Sequence, residues 1–202
     1  MAVINTEQIK KLRQTTGAGM MDCKRALEET GGDMEKAVEY LRKKGAATAV
    51  KRADKEANQG LVEAYIHAGG RIGAMVELNC ETDFVAKTPE FKSLAHDLAM
   101  QIAAMSPRYI SRSEVEKDTI AKETEIYRSQ AVNEGKKPEI ADKIAQGRLD
   151  KFYQEVCLME QSFIKDSGKT IKDLIDEAMG KTGERISIRR FQRYHLGEDN
   201  SA

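Results

Sequence analysis

The spacing of apolar residues changes at Gly60, and this change constrains the fold more than any other feature of the chain. Before Gly60, apolar residues recur every three or four positions, as along one face of a helix. After it, residues 61–66 and 72–78 follow a strand pattern on either side of Gly69 and Gly70, where glycine permits a tight turn. The sequence therefore predicts an α+β fold in which helices precede a β-hairpin with an antiparallel sheet.

Residues 1–45 are predicted to form a small three-helix module. Asn5 or Thr6 begins the first helix, and glycines end the first and the second. Asp33 can cap the third helix, which is expected to end at Gly45. A bundle of this size has a small core and limited stability, which suits a docking module.

The rest of the chain is predicted to divide into a linker, a larger α+β core and a tail. Residues 46–59 are predicted as a linker, because residues 51–58 carry dense mixed charge and little to bury, which is typical of a linker or a solvated helical extension. The core is expected to span residues 60–197, with a helix at 89–105 whose apolar residues follow helical spacing. Residues 198–202 form a short polar tail.

Two further helices are predicted between residues 113 and 155. The stretch at 135–138 separates them by a turn so short that they should lie antiparallel. Neither helix is rich in large apolar residues, so the pair is expected to project as an arm. A helix near 170–179 and an alternating strand at 186–194 complete the core.

The charge balance favours a protein partner. Lysine and arginine together number 33, and so do aspartate and glutamate, which leaves no net field to draw the molecule onto nucleic acid or a membrane. The first residues contain neither a basic leader nor an apolar run, and no later stretch approaches the ~20 apolar residues that span a bilayer. We expect a cytoplasmic protein that binds no membrane and no nucleic acid directly.

Covalent chemistry is not predicted, and neither a metal site nor a cofactor is expected. Cys23, Cys80 and Cys157 are widely spaced and lack a Cys-x-x-Cys pair, so buried thiols explain them better than disulfides or zinc. The histidines, His67 and His96 among them, stand in no motif that places one beside a nucleophile. A small enzyme built around Cys80 or His67 stays open as an alternative.

A second alternative is RNA binding through the C-terminal strand. Arg189, Arg190 and Arg193 alternate with aromatic residues there, as in some RNA-binding sheets. Nearby acidic residues, such as Asp173 and Asp176, reduce that positive charge.

The run Thr82, Asp83, Phe84 and Val85 sets a carboxylate beside a large apolar ring where the predicted strand ends. Taken alone, Thr82 or Asp83 could cap a helix and Phe84 could fill the core. Upstream, residues 16–27 read TGAGMMDCKRAL. Together the two runs closely resemble the bacterial translation elongation factor Ts family.

Two more motifs carry the same resemblance. One is a strand in which Tyr65 and His67 precede an Arg-Ile-Gly run at residues 71–73. The other is the stretch at residues 137–143 on the predicted arm, with Gly135 just upstream, which corresponds to the family's Gly-Lys-Pro stretch. The resemblance implies a guanine nucleotide exchange factor that acts on elongation factor Tu, with an N-terminal module similar to a ubiquitin-associated domain and an arm formed by a protruding coiled coil.

The resemblance also implies site residues. The stretch matching Thr82, Asp83, Phe84 and Val85 is implicated in displacing Mg²⁺ from the partner, with Phe84 as the wedge. The residues implied to bind the partner are Thr16, Gly17, Ala18, Gly19, Met20, Met21, Asp22, Cys23, Leu27 and His67. Longer family members carry two related halves in the core, whereas this chain has one, so the resemblance is to a short form. A short form is expected to pair as a homodimer, with His67 of one copy and Phe84 of the other acting on the same partner.

Overall fold

The computed structural model of the chain describes residues 4–198, and within them it shows a mixed fold of helices and antiparallel sheets. The helices are α1 (Thr6–Thr16), α2 (Met20–Glu29), α3 (Met34–Arg52), α4 (Asp83–Ala86), α5 (Pro89–Met105), α6 (Lys117–Asn133), α7 (Pro138–Val156) and α8 (Ile171–Thr182). The strands are β1 (Gln59–Ile66), β2 (Ile72–Cys80), β3 (Ser162–Phe163), β4 (Asp166–Thr170) and β5 (Ile186–His195). The α+β prediction is thus confirmed, while residues 199–202 of the predicted tail lie outside the described part of the chain.

The strands form a three-stranded sheet of order β1-β2-β5 and a two-stranded sheet of β3 and β4. The predicted hairpin is confirmed, with His67 N donating to Ile72 O at 2.8 Å across the turn. Strand β5 lies beside β2, and Leu196 N donates to Arg71 O at 2.8 Å where β2 begins. The antiparallel pair β3 and β4 was not predicted.

The chain forms two compact units, each assembled from separate stretches. The first unit comprises the chain up to Glu63 together with Val76–His96 and Lys172–Arg189, and the second comprises Ala64–Met75, Asp97–Ile171 and the residues from Arg190 onward. The domain boundaries stay a prediction, with a module of residues 1–45, a linker of 46–59 and a core of 60–197.

In the first unit, α1, α2 and α3 pack around a small apolar core. Its buried members are Leu12, Cys23, Ala26, Leu27 and Ala37. Asn5 caps α1 in a capping box with Gln8, as predicted for one of the two candidates, and Gly17 ends α1 in the left-handed conformation.

Helix α3 does not end at Gly45, as predicted, but continues to Arg52. Gly45 is buried because α8 passes close to it: a Cβ on Gly180 would come within 2.9 Å of the Gly45 Cα. A salt bridge of 2.6 Å between Arg42 and Asp173 also joins the two helices. Gly45 therefore permits close helix packing rather than ending a helix, and part of the predicted linker is helical.

In the second unit, α6 and α7 pack antiparallel across a turn in which Gly135 has a φ of +81°. Buried alanines, Ala131 and Ala145 among them, let the helices approach each other. Arg148 joins them by donating to Gln130 and Glu134, both at 2.9 Å. The two predicted helices are present, and their role as a projecting coiled coil stays a prediction. No helix among residues 4–198 is long and apolar enough to cross a membrane.

Candidate functional site

The run beginning at Thr82 contains the N-cap and the first three residues of the one-turn helix α4. Thr82 is the N-cap of α4, and its Oγ1 accepts from Val85 N at 3.5 Å. The turn is followed at once by α5, which Thr88 begins by accepting from Phe91 N at 3.2 Å. The alternative that Thr82 caps a helix is thus correct, although the helix has only four residues.

Phe84 points into solvent. Its side chain is 80% exposed, whereas Val85 is half-buried and Ala86 is buried. The alternative that Phe84 fills the core is therefore wrong. Exposure of a rigid aromatic ring to water is unfavourable in free energy. Such exposure is typical of a surface that meets a partner.

The carboxylate beside the ring is held by a neighbouring lysine. Lys87 Nζ lies 2.6 Å from Asp83 Oδ2, one helical turn further along. This hydrogen bond lowers the pKa of Asp83 below its ordinary value. Asp83 thus carries its negative charge at neutral pH, next to an exposed ring.

The backbone before Phe84 is fixed by a glutamate that lies far away in the sequence. Glu184 accepts from Thr82 N at 3.0 Å through one oxygen and from Thr82 Oγ1 at 2.6 Å through the other. Glu184 follows the end of α8, where Gly183 has a φ of +71°. Sequence reasoning missed this contact because no local spacing connects residues so far apart.

A second glutamate, Glu81, accepts from the backbone next to Glu184 in turn. Glu81 accepts from Arg185 N at 2.6 Å and from Arg52 Nη1 at 2.8 and 2.7 Å. The Arg185 backbone N–H, with a further contribution from Arg52, lowers the pKa of Glu81. The segment before Phe84 is therefore tied to both the end of α3 and the start of β5.

The predicted docking segment forms the junction between α1 and α2. Thr16 Oγ1 donates to Leu12 O at 2.8 Å and accepts from Ala18 N at 3.3 Å, which shapes the loop that continues through Gly17 and Gly19. At the start of α2, Met20 is 37% exposed and Met21 67% exposed. Exposed methionines adapt readily to a partner surface.

Two predicted contact residues have no surface to offer. Cys23 and Leu27 are fully buried in the three-helix core, and burial raises the pKa of the Cys23 thiol. Because both side chains are buried, they support the loop from beneath and do not belong to the exposed contact surface that was predicted. Asp22 is half-buried and forms a salt bridge with Lys44.

His67 lies in the turn between β1 and β2, in the second unit. Its ring is exposed, and its Nδ1 lies 3.0 Å from the hydroxyl of Tyr65. His96, which had no support as a contact residue, lies 3.0 Å from Glu63 through its own Nδ1.

The alternatives gain little from the geometry. Cys80 is fully buried, and desolvation raises the pKa of its thiol to about 11, which makes it a poor nucleophile at neutral pH. Arg193 donates to Ala103 O at 3.2 Å and pairs with Glu198 at 2.9 Å, so its charge is partly committed. Within residues 4–198, no group of histidine, cysteine and acidic side chains is arranged to hold a metal ion.

Comparison with known proteins agrees with the motifs. The sequence model of a family described as "Elongation factor TS" matches residues 6–198. A protein of Moorella thermoacetica named elongation factor Ts is 61% identical over 97% of this chain and 97% of its own length. Proteins of the same name from Desulforamulus reducens and Carboxydothermus hydrogenoformans are 59% and 60% identical over 98% and 97% of this chain, and over 91% and 90% of their own lengths. The chain therefore belongs to the elongation factor Ts family.

Proposed function

We propose that the chain is a guanine nucleotide exchange factor that binds elongation factor Tu·GDP and promotes the replacement of GDP by GTP during protein biosynthesis. The observation that carries this proposal is Phe84, a ring exposed at the start of a one-turn helix and adjacent to an ionised carboxylate. Such a ring offers volume and rigidity at low entropic cost, as interface anchors do.

Docking is the first step of the proposed mechanism. The α1–α2 junction presents Met20 and Met21 on a loop whose backbone is shaped by Thr16. Gly19 leaves the backbone of this loop open to close approach by a partner, whereas Lys181 Nζ lies 3.0 Å from where a Cβ on Gly17 would stand. We propose that this surface holds the nucleotide domain of elongation factor Tu, while Cys23 and Leu27 stabilise it from within.

Displacement of the metal is the second step. The binding of GDP with Mg²⁺ depends on the ion, because the ion offsets the phosphate charge. A ring that shifts the surrounding segments of the partner therefore weakens the binding of both the metal and the nucleotide. Phe84 would supply the volume, and Asp83 would compete for polar groups near the metal. Both actions are non-covalent, so we propose a binding factor without a resident cofactor or covalent chemistry.

Release of the factor is the third step and follows from linkage. If the factor weakens nucleotide binding by some multiple, nucleotide weakens binding of the factor by the same multiple. GTP, bound in the vacated site, would therefore displace the factor. We further propose that the chain acts in the cytoplasm, where this role in translation would place it.

We also propose that the chain pairs as a homodimer. In the second unit, exposed apolar side chains occur on or next to the strands β1, β2 and β5, namely Ile66, Met75, Tyr194 and Leu196. Apolar side chains exposed on one sheet are typical of a surface that another subunit covers.

Sedimentation of the purified chain tests the dimer. At micromolar concentration the wild type should sediment as two chains and the Ile66→Glu variant as one. Val132→Glu is the matched control, because Val132 is an exposed apolar residue of α6 in the same unit. A wild-type mass of one chain would contradict the dimer without affecting the exchange proposal.

Stopped-flow release of fluorescent GDP from elongation factor Tu tests the exchange function. Wild type should strongly accelerate release, and Phe84→Ala and Asp83→Ala should each weaken the acceleration at matched Mg²⁺. Val50→Ala is the control, since Val50 is 78% exposed and lies in the same unit. Equal acceleration by all variants would move the source of exchange away from Phe84, and no acceleration by wild type would refute the function.

A further inference from the structure

We propose that Glu184 is a positioning residue: it holds Thr82 so that Phe84 is presented in one orientation, and Thr82 serves this contact rather than a contact with the partner. The effect on nucleotide release rests on the proposed exchange function. The contact itself can be tested in the free protein.

The sequence neighbours Glu81 and Thr82 form hydrogen bonds with the sequence neighbours Glu184 and Arg185, and each pair contributes one accepting glutamate. Glu184 accepts from both the backbone N–H and the hydroxyl of Thr82, and Glu81 accepts from the backbone N–H of Arg185. Each glutamate therefore grips the backbone next to the other. We call these four residues the double clamp.

A third element joins the double clamp. Arg52, the last residue of α3, donates from Nη1 to both carboxylate oxygens of Glu81. The arginine is half-buried and the glutamate has an exposed side-chain fraction of 18%, so water screens this pair less than it screens a surface pair. The helix that closes the docking bundle thus ends on the segment that carries Phe84.

The segment needs external support because α4 is too short to persist alone. A single helical turn fixes several backbone dihedrals for few hydrogen bonds, so nucleation is unfavourable without tertiary contacts. The Thr82 hydroxyl donates to Glu184 while its oxygen accepts from Val85 N, which links the clamp to the first turn of α4. Preorganisation of this kind lowers the entropic cost of presenting Phe84 to a partner.

The clamp predicts a split between two kinetic quantities. Glu184→Ala and Thr82→Val should each lower the maximal rate of GDP release on the order of tenfold, the scale of a lost charge-assisted hydrogen bond. The factor concentration at half-maximal rate should stay unchanged, because the docking loop does not involve either residue. Thr82→Ser keeps the hydroxyl and should retain the wild-type rate.

A double-mutant cycle separates positioning from loss of stability. In a Phe84→Ala background, Glu184→Ala should have little further effect on the maximal rate, because the ring that it positions is gone. Glu160→Gln is the control: Glu160 accepts from Arg112 in the second unit, and its loss should leave the rate unchanged. Full additivity of the two substitutions would refute a positioning role.

Hydrogen exchange of the free protein, followed by mass spectrometry on peptides covering residues 82–88, decides the clamp independently of the partner. Glu184→Ala and Thr82→Val should each speed exchange there on the order of tenfold, with amides of α2 unchanged. Unchanged exchange in both variants would overturn the proposal, and so would faster exchange across the whole first unit. If the wild type fails to release GDP, the exchange function falls, and these peptides still decide whether Glu184 holds the segment.

Discussion

The segment that carries Phe84 and the turn that carries His67 differ in how the backbone near each exposed ring is held. Phe84 lies two residues after Thr82, whose backbone N–H and hydroxyl both donate to Glu184. The glutamate before Thr82 accepts from Arg52 and from the backbone N–H of Arg185. His67 has an exposed ring that contacts the hydroxyl of Tyr65, on its own strand, and its backbone pairs with Ile72 and Gly70 across the turn.

The two rings can therefore contribute to binding in different ways. A ring on a fixed backbone can displace groups of a partner, since the force on it is transmitted to the fold. A ring on a short turn can adjust to a partner and adds contact area, but it resists displacement less. We therefore expect Phe84 to govern the rate of nucleotide release and His67 to govern affinity.

The largest expected effect is that of Phe84→Ala on the maximal rate of GDP release. Truncation of an interface anchor costs about 2 kcal/mol or more, which corresponds to a loss of about 30-fold. The measurement is the rate of fluorescent GDP release at saturating factor. A loss that disappears at higher factor concentration would show that the ring serves affinity alone.

Gly45→Ala should weaken the packing of α3 against α8, the two helices that end at or shortly before residues in contact with the segment before Phe84. The new Cβ would lie 2.8 Å from the Asp176 carbonyl oxygen, so α3 and α8 must move apart, at a cost of about 1–3 kcal/mol in the free energy of unfolding. Gly147→Ala is the matched control, because Gly147 lies inside α7 and a Cβ added there would meet nothing within 4 Å. Denaturant unfolding should show the first variant destabilised and the second unchanged or stabilised by about 0.5–1 kcal/mol.

His67→Ala should have a smaller effect, and on a different quantity. We expect the factor concentration at half-maximal release to rise about threefold to tenfold, with the maximal rate retained, because an exposed contact of this kind contributes about 1 kcal/mol. Tyr65→Phe removes the hydroxyl that contacts His67 and should produce part of the same rise. A fall in maximal rate with unchanged half-saturation would reverse the roles assigned to the two rings.

The smallest expected effect is a dependence of stability on pH through Glu81. Its pKa is lowered in the folded state, chiefly by the Arg185 N–H. The stabilisation is therefore present above the ordinary glutamate pKa of about 4.3 and is lost as pH falls through the lower folded value. Unfolding measured between about pH 6 and 3 should show a shallower decline for Glu81→Gln than for wild type. Parallel curves would show that Glu81 has the same pKa in both states.

The elements with long, regular patterns were predictable from sequence. The predicted helix at 89–105 matches α5, the hairpin lies where Gly69 and Gly70 indicated, and α7 begins at Pro138. The features that escaped prediction depend on distant residues. Helix α3 passes Gly45 because α8 lies against it, and a helix of four residues such as α4 shows no period.

The candidate site divides in the same way. The run from Thr82 to Val85 and the exposed methionines follow from local sequence motifs, whereas the burial of Cys23 and Leu27 comes from packing between helices. Glu184 could not be identified from sequence, because the hydrogen bonds that define its role join stretches that only the fold brings together.

Phe84 is proposed to act by loosening the metal, and the test of this is GDP release measured with and without Mg²⁺. Wild type and Phe84→Ala would be compared at saturating factor, first in excess Mg²⁺ and then in a chelator. Loosening of the metal by Phe84 predicts a large deficit in the release rate of the variant in Mg²⁺, which shrinks towards zero when the metal is removed. A deficit of the same size in both conditions would contradict it, because the ring would then weaken nucleotide binding by a route that does not involve the ion.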